Sequence, residues 1–188
     1  MGNASASFID GARLSGVRLE IPLPGGGVAP APPILRAATV QIDATTIAAT
    51  LERAIPEVLA RFGATGRLAE TRLVDGGLVL AVEAQKMITL TVTATLSVTA
   101  TGEGRILVEA TDLKAGRWIP LNLIVERALG YLQNIPGVRP AGPRAVELDP
   151  DTLLATPAIA AKLPFRWATR VRDVRITPAA VAVVCAEG

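Results

Sequence analysis

Side chains that commonly perform catalysis are scarce in this chain of 188 residues. It contains no histidine and one cysteine, Cys185. A histidine base, a Cys–His pair and an imidazole metal site are therefore excluded. The sequence also lacks a nucleophile elbow and a glycine-rich nucleotide loop. We predict that the protein is not an enzyme and uses no cofactor or metal.

Carboxylates are the remaining candidates, since a pair of them can act as a general acid and a general base. Asp149 and Asp151 are two residues apart, and Asp43 has a similar setting. Asp43 and Asp149 each follow a short alternating run and precede a helical pattern, which is typical of N-cap residues. We therefore interpret these two aspartates as helix caps and Asp151 as a charge in the first helical turn.

Two tryptophan-containing segments mix aromatic and basic residues. Trp118 precedes a predicted helix, and Phe165, Arg166 and Trp167 follow one another near the start of a predicted strand. Tryptophan favours interfaces, and arginine favours lipid phosphates. These four residues are candidates for a membrane contact or for the rim of a ligand entrance. The alternative is that Phe165 and Trp167 are core residues.

The composition argues against nucleic acid as a partner. The net charge is only +2 and 3% of the residues are aromatic, whereas nucleic-acid binding needs clustered cations and usually stacking aromatics. Half of the residues are hydrophobic, so the interior must be aliphatic. Such an interior packs well on itself and is also a suitable wall for alkyl chains.

Two parts of the chain have a similar order of patterns. Residues 40–50 and 146–156 each contain an alternating run, an aspartate and an apolar stretch, and residues 67–82 and 170–185 each read as a strand, a turn and a strand. This predicts a strand–helix–hairpin pseudo-repeat at about 37–84 and 143–187. Chance similarity among Val-, Thr- and Ala-rich segments is the alternative.

Residues 87–101 contain the most regular pattern in the sequence. Apolar residues occupy the even positions, and threonine or serine occupies the odd positions from 89 to 99. Such alternation predicts a long strand with one apolar face and one hydroxyl face. Ile106, Val108 and Ala110 continue the even parity after a turn at 102–104. We expect a bent antiparallel hairpin with its apolar side concave.

Two long helices are predicted, at residues 44–62 and 121–135, because apolar residues recur there every three or four positions. Pro56 should kink the first helix or restart it as a second segment, and Gly63 should end it. A third, shorter helix is expected after Asp149, since prolines at 157 and 164 interrupt the pattern.

The length favours one domain over residues 12–188, preceded by a flexible tail at 1–11. No signal peptide or transmembrane segment is recognisable. We therefore expect a cytoplasmic protein as the sequence stands, or a cell-envelope protein if a leader has been removed. A homodimer is compatible with the sequence.

The order of these elements resembles the tubular lipid-binding (TULIP) superfamily, especially its small bacterial single-domain members. The resemblance rests on residues 40–50, 67–82, 87–110 and 121–137. It implies a highly curved antiparallel sheet that wraps around a long helix and leaves an elongated apolar cavity. It also implies that the protein binds lipids or other apolar ligands and contacts membranes peripherally.

We therefore predict an α+β fold and a non-enzymatic protein that binds, and in some settings transfers, a lipid or other elongated apolar ligand. The alternative is a structural module with a filled core that binds a partner protein through a sheet edge or an apolar patch. The predicted cavity wall consists of aliphatic residues of the two long helices and of the strands between them: Ile47, Leu51, Ile55, Leu59, Leu80, Val82, Leu90, Val92, Leu96, Ile124 and Leu129.

Overall fold

The computed structural model describes residues 6–9, 11–22, 32–115, 134–157, 163 and 165–187, which form twelve strands and two helices. In chain order these are β1 (Ala6–Ile9), β2 (Ala12–Glu20), β3 (Ile34–Asp43), α1 (Ala44–Arg61), β4 (Thr65–Val74), β5 (Gly77–Gln85), β6 (Thr89–Ala100), β7 (Ile106–Ala115), β8 (Val138–Gly142), β9 (Ala145–Leu148), α2 (Pro150–Leu154), β10 (Arg166–Trp167), β11 (Arg170–Ile176) and β12 (Ala180–Ala186).

The strands form two six-stranded sheets. The first sheet has the order β1-β2-β3-β12-β11, with β10 paired in parallel to β3. The second sheet has the order β4-β5-β6-β7-β9-β8, and its strands pair antiparallel. The predicted mixture of helix and antiparallel sheet is confirmed. The sequence suggested one long sheet, whereas the described strands divide between two.

The N-terminus of α1 differs from the prediction. Asp43 directly precedes the helix, but its side chain makes no capping hydrogen bond. Its Oδ2 instead lies 3.7 Å from Nη2 of Arg13 on β2. The N–H of Ala44 donates to the carbonyl of Ala179 at 2.9 Å. Backbone contact with the β11–β12 turn thus satisfies the first helical N–H, whereas a capping aspartate would have accepted from the second or third.

The C-terminus of α1 agrees with the prediction. Gly63, with a φ of 65°, follows the helix. The N–H groups of Gly63 and Ala64 donate to the carbonyls of Ala60 and Leu59, each at 3.0 Å, which is the Schellman pattern. The helix continues through Pro56 as one element and does not restart there.

The packing of α1 is mainly against β4, the edge strand of the second sheet, with smaller contacts to β3. A side chain at Gly66 of β4 would meet Leu59 Cδ1 at 2.7 Å. The missing side chain at Gly66 therefore lets the end of the helix approach the strand closely.

The two sheets meet along β11, the edge strand of the first sheet. The N–H of Gly76, in the β4–β5 turn, donates to the carbonyl of Ile176 at 3.2 Å. The N–H of Val171 donates to the carbonyl of Gly104, in the β6–β7 turn, at 3.3 Å. Hairpin ends of the second sheet thus bond to the open edge of β11, which reduces the number of its unpaired backbone groups.

One face of the second sheet is apolar from β5 to β7. Residues that lie directly opposite each other in an antiparallel pair project from the same face. The even-numbered apolar positions of β6 therefore share a face with apolar positions of β5 and β7, as predicted from the alternation. The pairs are Leu78 with Leu96, Leu80 with Ala94, Val82 with Val92, Val98 with Val108, and Ala100 with Ile106.

Two strands occur where none was predicted. Residues 6–9, in the region expected to be a tail, form β1 and pair with β2. Residues 138–142, where no strand was expected, form β8, in which Val138 is buried. Pro140 is compatible with β8 because this strand lies at a sheet edge, where a missing N–H is tolerated. The second predicted long helix, except for positions 134–135, lies outside the described residues.

Candidate functional site

An apolar cavity of about 240 Å³ lies where the two sheets and α2 come together. We call it the interlayer cavity. Its wall comes from five strands of the first sheet, from β7 and β9 of the second, and from α2, and none of its lining residues is charged. These residues are Ala12, Leu14, Val40, Ile106, Leu148, Pro150, Leu153, Leu154, Leu163, Phe165, Trp167, Val171, Val183 and Cys185.

Strand register explains the apolar wall contributed by the first sheet. Leu14 pairs with Val40, and Val40 pairs with Val183, so the three side chains share one face. Val171 pairs with Cys185, and a bulge follows Val171 in β11. Leu14, Val171 and Cys185 are at most 5% exposed. The cavity therefore lies against the buried face of the first sheet.

Asp149 determines where α2 begins beside this cavity. Its Oδ1 accepts from the N–H of Asp151 at 3.1 Å and of Thr152 at 3.4 Å, and its Oδ2 accepts from Thr152 Oγ1 at 2.8 Å. The predicted cap is thus confirmed. Leu153 and Leu154 follow on the same short helix and line the cavity. The cap therefore positions two of the cavity's leucines.

The interlayer cavity is continuous with the apolar face of the second sheet. Ile106 pairs with Leu148 on β9 and with Ala100 on β6, and the neighbouring pair Val98 and Val108 projects from the same face. Ile106 and Leu148 also line the cavity. One apolar surface therefore extends from β5 across β6 and β7 into the space between the sheets.

A second cavity, of about 420 Å³, borders the first, and we call it the outer cavity. It includes the charged residues Asp151 and Arg166, together with Pro32. An apolar space beside a cavity with two opposite charges suits a molecule with an alkyl part and a polar end. The side chains that line both cavities, and so form their boundary, are Leu154, Leu163, Phe165 and Trp167.

An ion-pair network centred on Arg105 lies near Asp149. Nη1 of Arg105 is 2.8 Å from Glu103 Oε2 and 3.1 Å from Glu147 Oε2. The hydrogen bond with Glu147 is the main reason why the pKa of Arg105 is raised. Burial acts to raise the pKa of Asp149, but bonds from Thr152 and the charge of Arg105, among others, bring it below the ordinary value. Both groups therefore stay charged near neutral pH.

Asp151 has the opposite shift. Burial and repulsion from Asp149 raise its pKa, while Arg170 and the Trp167 indole N–H oppose the rise. Asp151 also joins the outer cavity to a polar pocket of about 440 Å³ that contains Arg105 and Arg170. These charges lie in the outer cavity and in the polar pocket and are absent from the wall of the interlayer cavity.

The wall of the interlayer cavity has few polar groups. Burial raises the pKa of the Cys185 thiol to about 11, and the Thr169 hydroxyl beside it opposes the rise. The thiol is therefore neutral at physiological pH and behaves as a small apolar group. Thr169 Oγ1 and Trp167 Nε1 are buried near Cys185 and Asp151, but neither atom reaches hydrogen-bond geometry in the described part of the chain.

The wall residues predicted from sequence occupy two regions. Leu80, Val82, Leu90, Val92 and Leu96 lie together on the apolar face of the second sheet and are half-buried. Those on α1, also half-buried, are Ile47, Leu51, Ile55 and Leu59. None of these nine lines the interlayer cavity. Ile124 and Leu129 lie outside the described residues.

The residues predicted to form a rim differ in their position and burial. Phe165 is 8% exposed and belongs to the core cluster of Leu14, Leu35 and Ala38, against which Trp167 packs. Arg166 is exposed and lines the outer cavity. Trp118 lies outside the described residues. The aromatic pair thus forms the boundary between the two cavities, and its role as a rim stays a prediction.

Sequence reasoning did not identify the first-sheet wall of the cavity. Val40, Val171 and Val183 were assigned to alternating strands, and that alternation correctly predicts a buried face. No local pattern indicates that these distant strands pair with each other and face α2. Among the sequence patterns, Asp149 with Pro150 pointed to a part of the cavity wall, because it indicated a helix start just before Leu153.

The described residues contain no group of three or more metal-ligating side chains. No helix formed by the described part of the chain is long and apolar enough to cross a membrane. Comparison of the chain with protein-family models, with curated proteins and with solved structures found no match.

Proposed function

We propose that the protein binds a lipid or another elongated apolar molecule non-covalently, without catalysing a reaction. The observation that carries this proposal is the interlayer cavity, whose lining residues are uncharged and whose wall continues onto the half-buried apolar face of the second sheet. A concave apolar space with a few polar groups at its edge is the usual form of a small-molecule site.

The shape of this surface favours an elongated ligand. Leu90 and Leu96 are six residues apart on β6, which corresponds to roughly 20 Å along the strand. From β6 across β7 to β9 adds two strand spacings, or about 10 Å. An alkyl chain along this path would end beside Leu148 in the interlayer cavity.

The binding energy would come from excluding water from the alkyl chain. At about 25 cal/mol per Å² of apolar surface, an acyl chain that buries a few hundred Å² gains several kcal/mol. Asp151 and Arg166 in the outer cavity would then contact the polar end of the ligand. The opposite signs of these two charges suit a zwitterionic or hydrogen-bonding head group.

The proposal includes the finer features of a TULIP-like fold, namely a sheet that curves around α1 and an internal pseudo-repeat. Two observations support it. Leu59 of α1 lies against Gly66 of β4, and the order strand, helix, hairpin occurs in β3–α1–β4–β5 and again in β9–α2–β11–β12, where the two-residue strand β10 separates the helix from the hairpin. Under this proposal, the predicted residues of α1 and of the second sheet would form the outer length of the ligand wall.

Extraction of the purified protein with organic solvent, followed by mass spectrometry, tests the proposal. We expect an apolar compound in stoichiometric amount. Ala12→Phe, which places a ring in the interlayer cavity, should lower the yield several-fold. Ala141→Phe is the matched control, since Ala141 is exposed on the edge strand β8.

A protein that carries no compound and takes up none from lipid mixtures would contradict the proposal. That result would favour the interaction module with a filled core. Equal yields from the two phenylalanine variants would show that a ligand is bound elsewhere than in the interlayer cavity.

A further inference from the structure

The loop between β5 and β6 exposes two large hydrophobic side chains at its tip. Met87 is 94% exposed and Ile88 is 61% exposed, and Met87 has the highest value among the large hydrophobic residues that the structure describes. The loop consists of residues 86–88 only, between Gln85 and Thr89, which pair with each other. The two side chains therefore project from the end of a long hairpin.

Cationic side chains accompany this apolar tip. Lys86 precedes Met87, and its Nζ donates to the carbonyl of Phe62 at the end of α1 at 3.1 Å. Arg61 is the last residue of α1. Glu57 lies one helical turn farther from the helix end. The tip therefore combines two exposed apolar side chains with the neighbouring cation of Lys86, which reaches the end of α1 where Arg61 lies.

Hydrogen bonds close the base of the tip. The N–H of Lys86 donates to the carbonyl of Ile88 at 3.3 Å, and Thr65 Oγ1 donates to the carbonyl of Gln85 at 3.4 Å. Unsatisfied backbone groups are what most strongly oppose entry into an apolar medium. Because the loop is only three residues long and its base is closed, few backbone groups would enter the lipid with Met87 and Ile88.

We propose that the Lys86–Ile88 loop docks the protein on the surface of an anionic phospholipid bilayer. Met87 and Ile88 enter the boundary between head groups and acyl chains, and Lys86 and Arg61 remain at the level of the lipid phosphates. A three-residue tip is much smaller than the roughly 800 Å² per partner that a specific protein interface needs. A bilayer requires no complementary pocket, so it accepts such a tip more readily. This docking does not depend on a ligand in the interlayer cavity.

Flotation of the full chain with vesicles tests the proposal. The chain should bind vesicles of phosphatidylcholine and phosphatidylserine, bind phosphatidylcholine alone more weakly, and lose binding as salt is raised. The double substitution Met87→Ser and Ile88→Ser should weaken binding by about 10-fold or more, since two exposed apolar side chains are lost. Ile21→Ser is the matched control, because Ile21 is 72% exposed outside this loop.

Insertion can be read out directly by labelling a new thiol. The native thiol, Cys185, is buried, so it should not take up the label. Met87→Cys and Ile21→Cys can each be labelled at the new thiol with an environment-sensitive fluorophore. Only the label at position 87 should shift to shorter wavelength with anionic vesicles and be quenched by brominated lipid.

Absence of vesicle binding by the full chain would overturn the proposal, as would equal binding by the double serine variant. If the double substitution instead abolished self-association, the loop would be an interface between copies of the chain. Failure to bind vesicles would not change the amount of apolar compound extracted from the purified protein. Failure of docking is therefore distinguishable from failure of ligand binding.

Discussion

Asp149 connects the polar and apolar parts of the candidate site. Its carboxylate bonds to the N-terminus of α2, lies within the field of Arg105, and precedes the two leucines that α2 contributes to the interlayer cavity. N-terminal charges are favoured by the unsatisfied N–H groups and by the dipole of a helix. The residue therefore stabilises the segment that forms one wall of the cavity.

Asp149→Ala should lower the free energy of unfolding by roughly 1 kcal/mol at neutral pH, because the cap is lost. The pKa of Asp149 is depressed in the folded state, so the stabilisation is present above the ordinary aspartate pKa of 3.8. It is lost as the pH falls through the folded pKa. Urea denaturation at neutral and at acidic pH measures the difference.

Asp43→Ala is the matched control, since Asp43 precedes α1 but makes no side-chain cap. It should change the free energy of unfolding by much less than Asp149→Ala does. Equal losses in the two variants would contradict the roles assigned here. The two aspartates have similar sequence settings, so sequence alone predicted the same role for both. The difference arises from Arg13 on β2 and Ala179 in the β11–β12 turn, which bond to Asp43 and to the first helical N–H and are distant from α1 in sequence.

Among the elements, the α1–β4 contact depends on the absence of a side chain at Gly66. A Cβ there would overlap the carbonyl oxygen of Glu83 and lie 2.7 Å from Leu59 Cδ1. The carbonyl belongs to the backbone of β5 and has little freedom to move. The close approach of α1 to the second sheet is therefore specific to glycine.

Gly66→Ala should lower the free energy of unfolding by about 1–3 kcal/mol, in the range for overpacking of a close contact. Gly102→Ala is the control, because a Cβ at Gly102 meets nothing within 4 Å. Thermal or urea denaturation followed by circular dichroism compares the two. A neutral Gly66→Ala would show that α1 is not held closely against β4.

How well each element could be predicted depended on whether its pattern is local. The alternation on β6, the Asp75–Gly76 turn and the end of α1 at Gly63 follow from neighbouring residues, and the structure agrees with each. Strands β1 and β8 are short and lie at sheet edges, so they carry little alternation. Their existence depends on pairing partners that local patterns do not identify.

At the scale of the molecule, the sequence predicted an aliphatic interior with antiparallel sheet, but not its division into two sheets. The division arises because β3 pairs with β2 and β12, whose sequence positions differ widely. The same pairing creates the interlayer cavity, with Val40 and Val183 side by side in its wall. The class of candidate site could thus be predicted from composition, whereas its location required the long-range pairing.

If an alkyl chain occupies the interlayer cavity as proposed, Trp167 in the cavity wall can report its binding directly. The chain has two tryptophans, so Trp118→Phe leaves Trp167 as the sole tryptophan. Titration with a fatty acid brominated near the end of its chain should quench Trp167 fluorescence by direct contact. Ala12→Phe should abolish the quenching, and Ala141→Phe should leave it intact. Unquenched Trp167 at saturating fatty acid, or equal quenching in both phenylalanine variants, would contradict the claim.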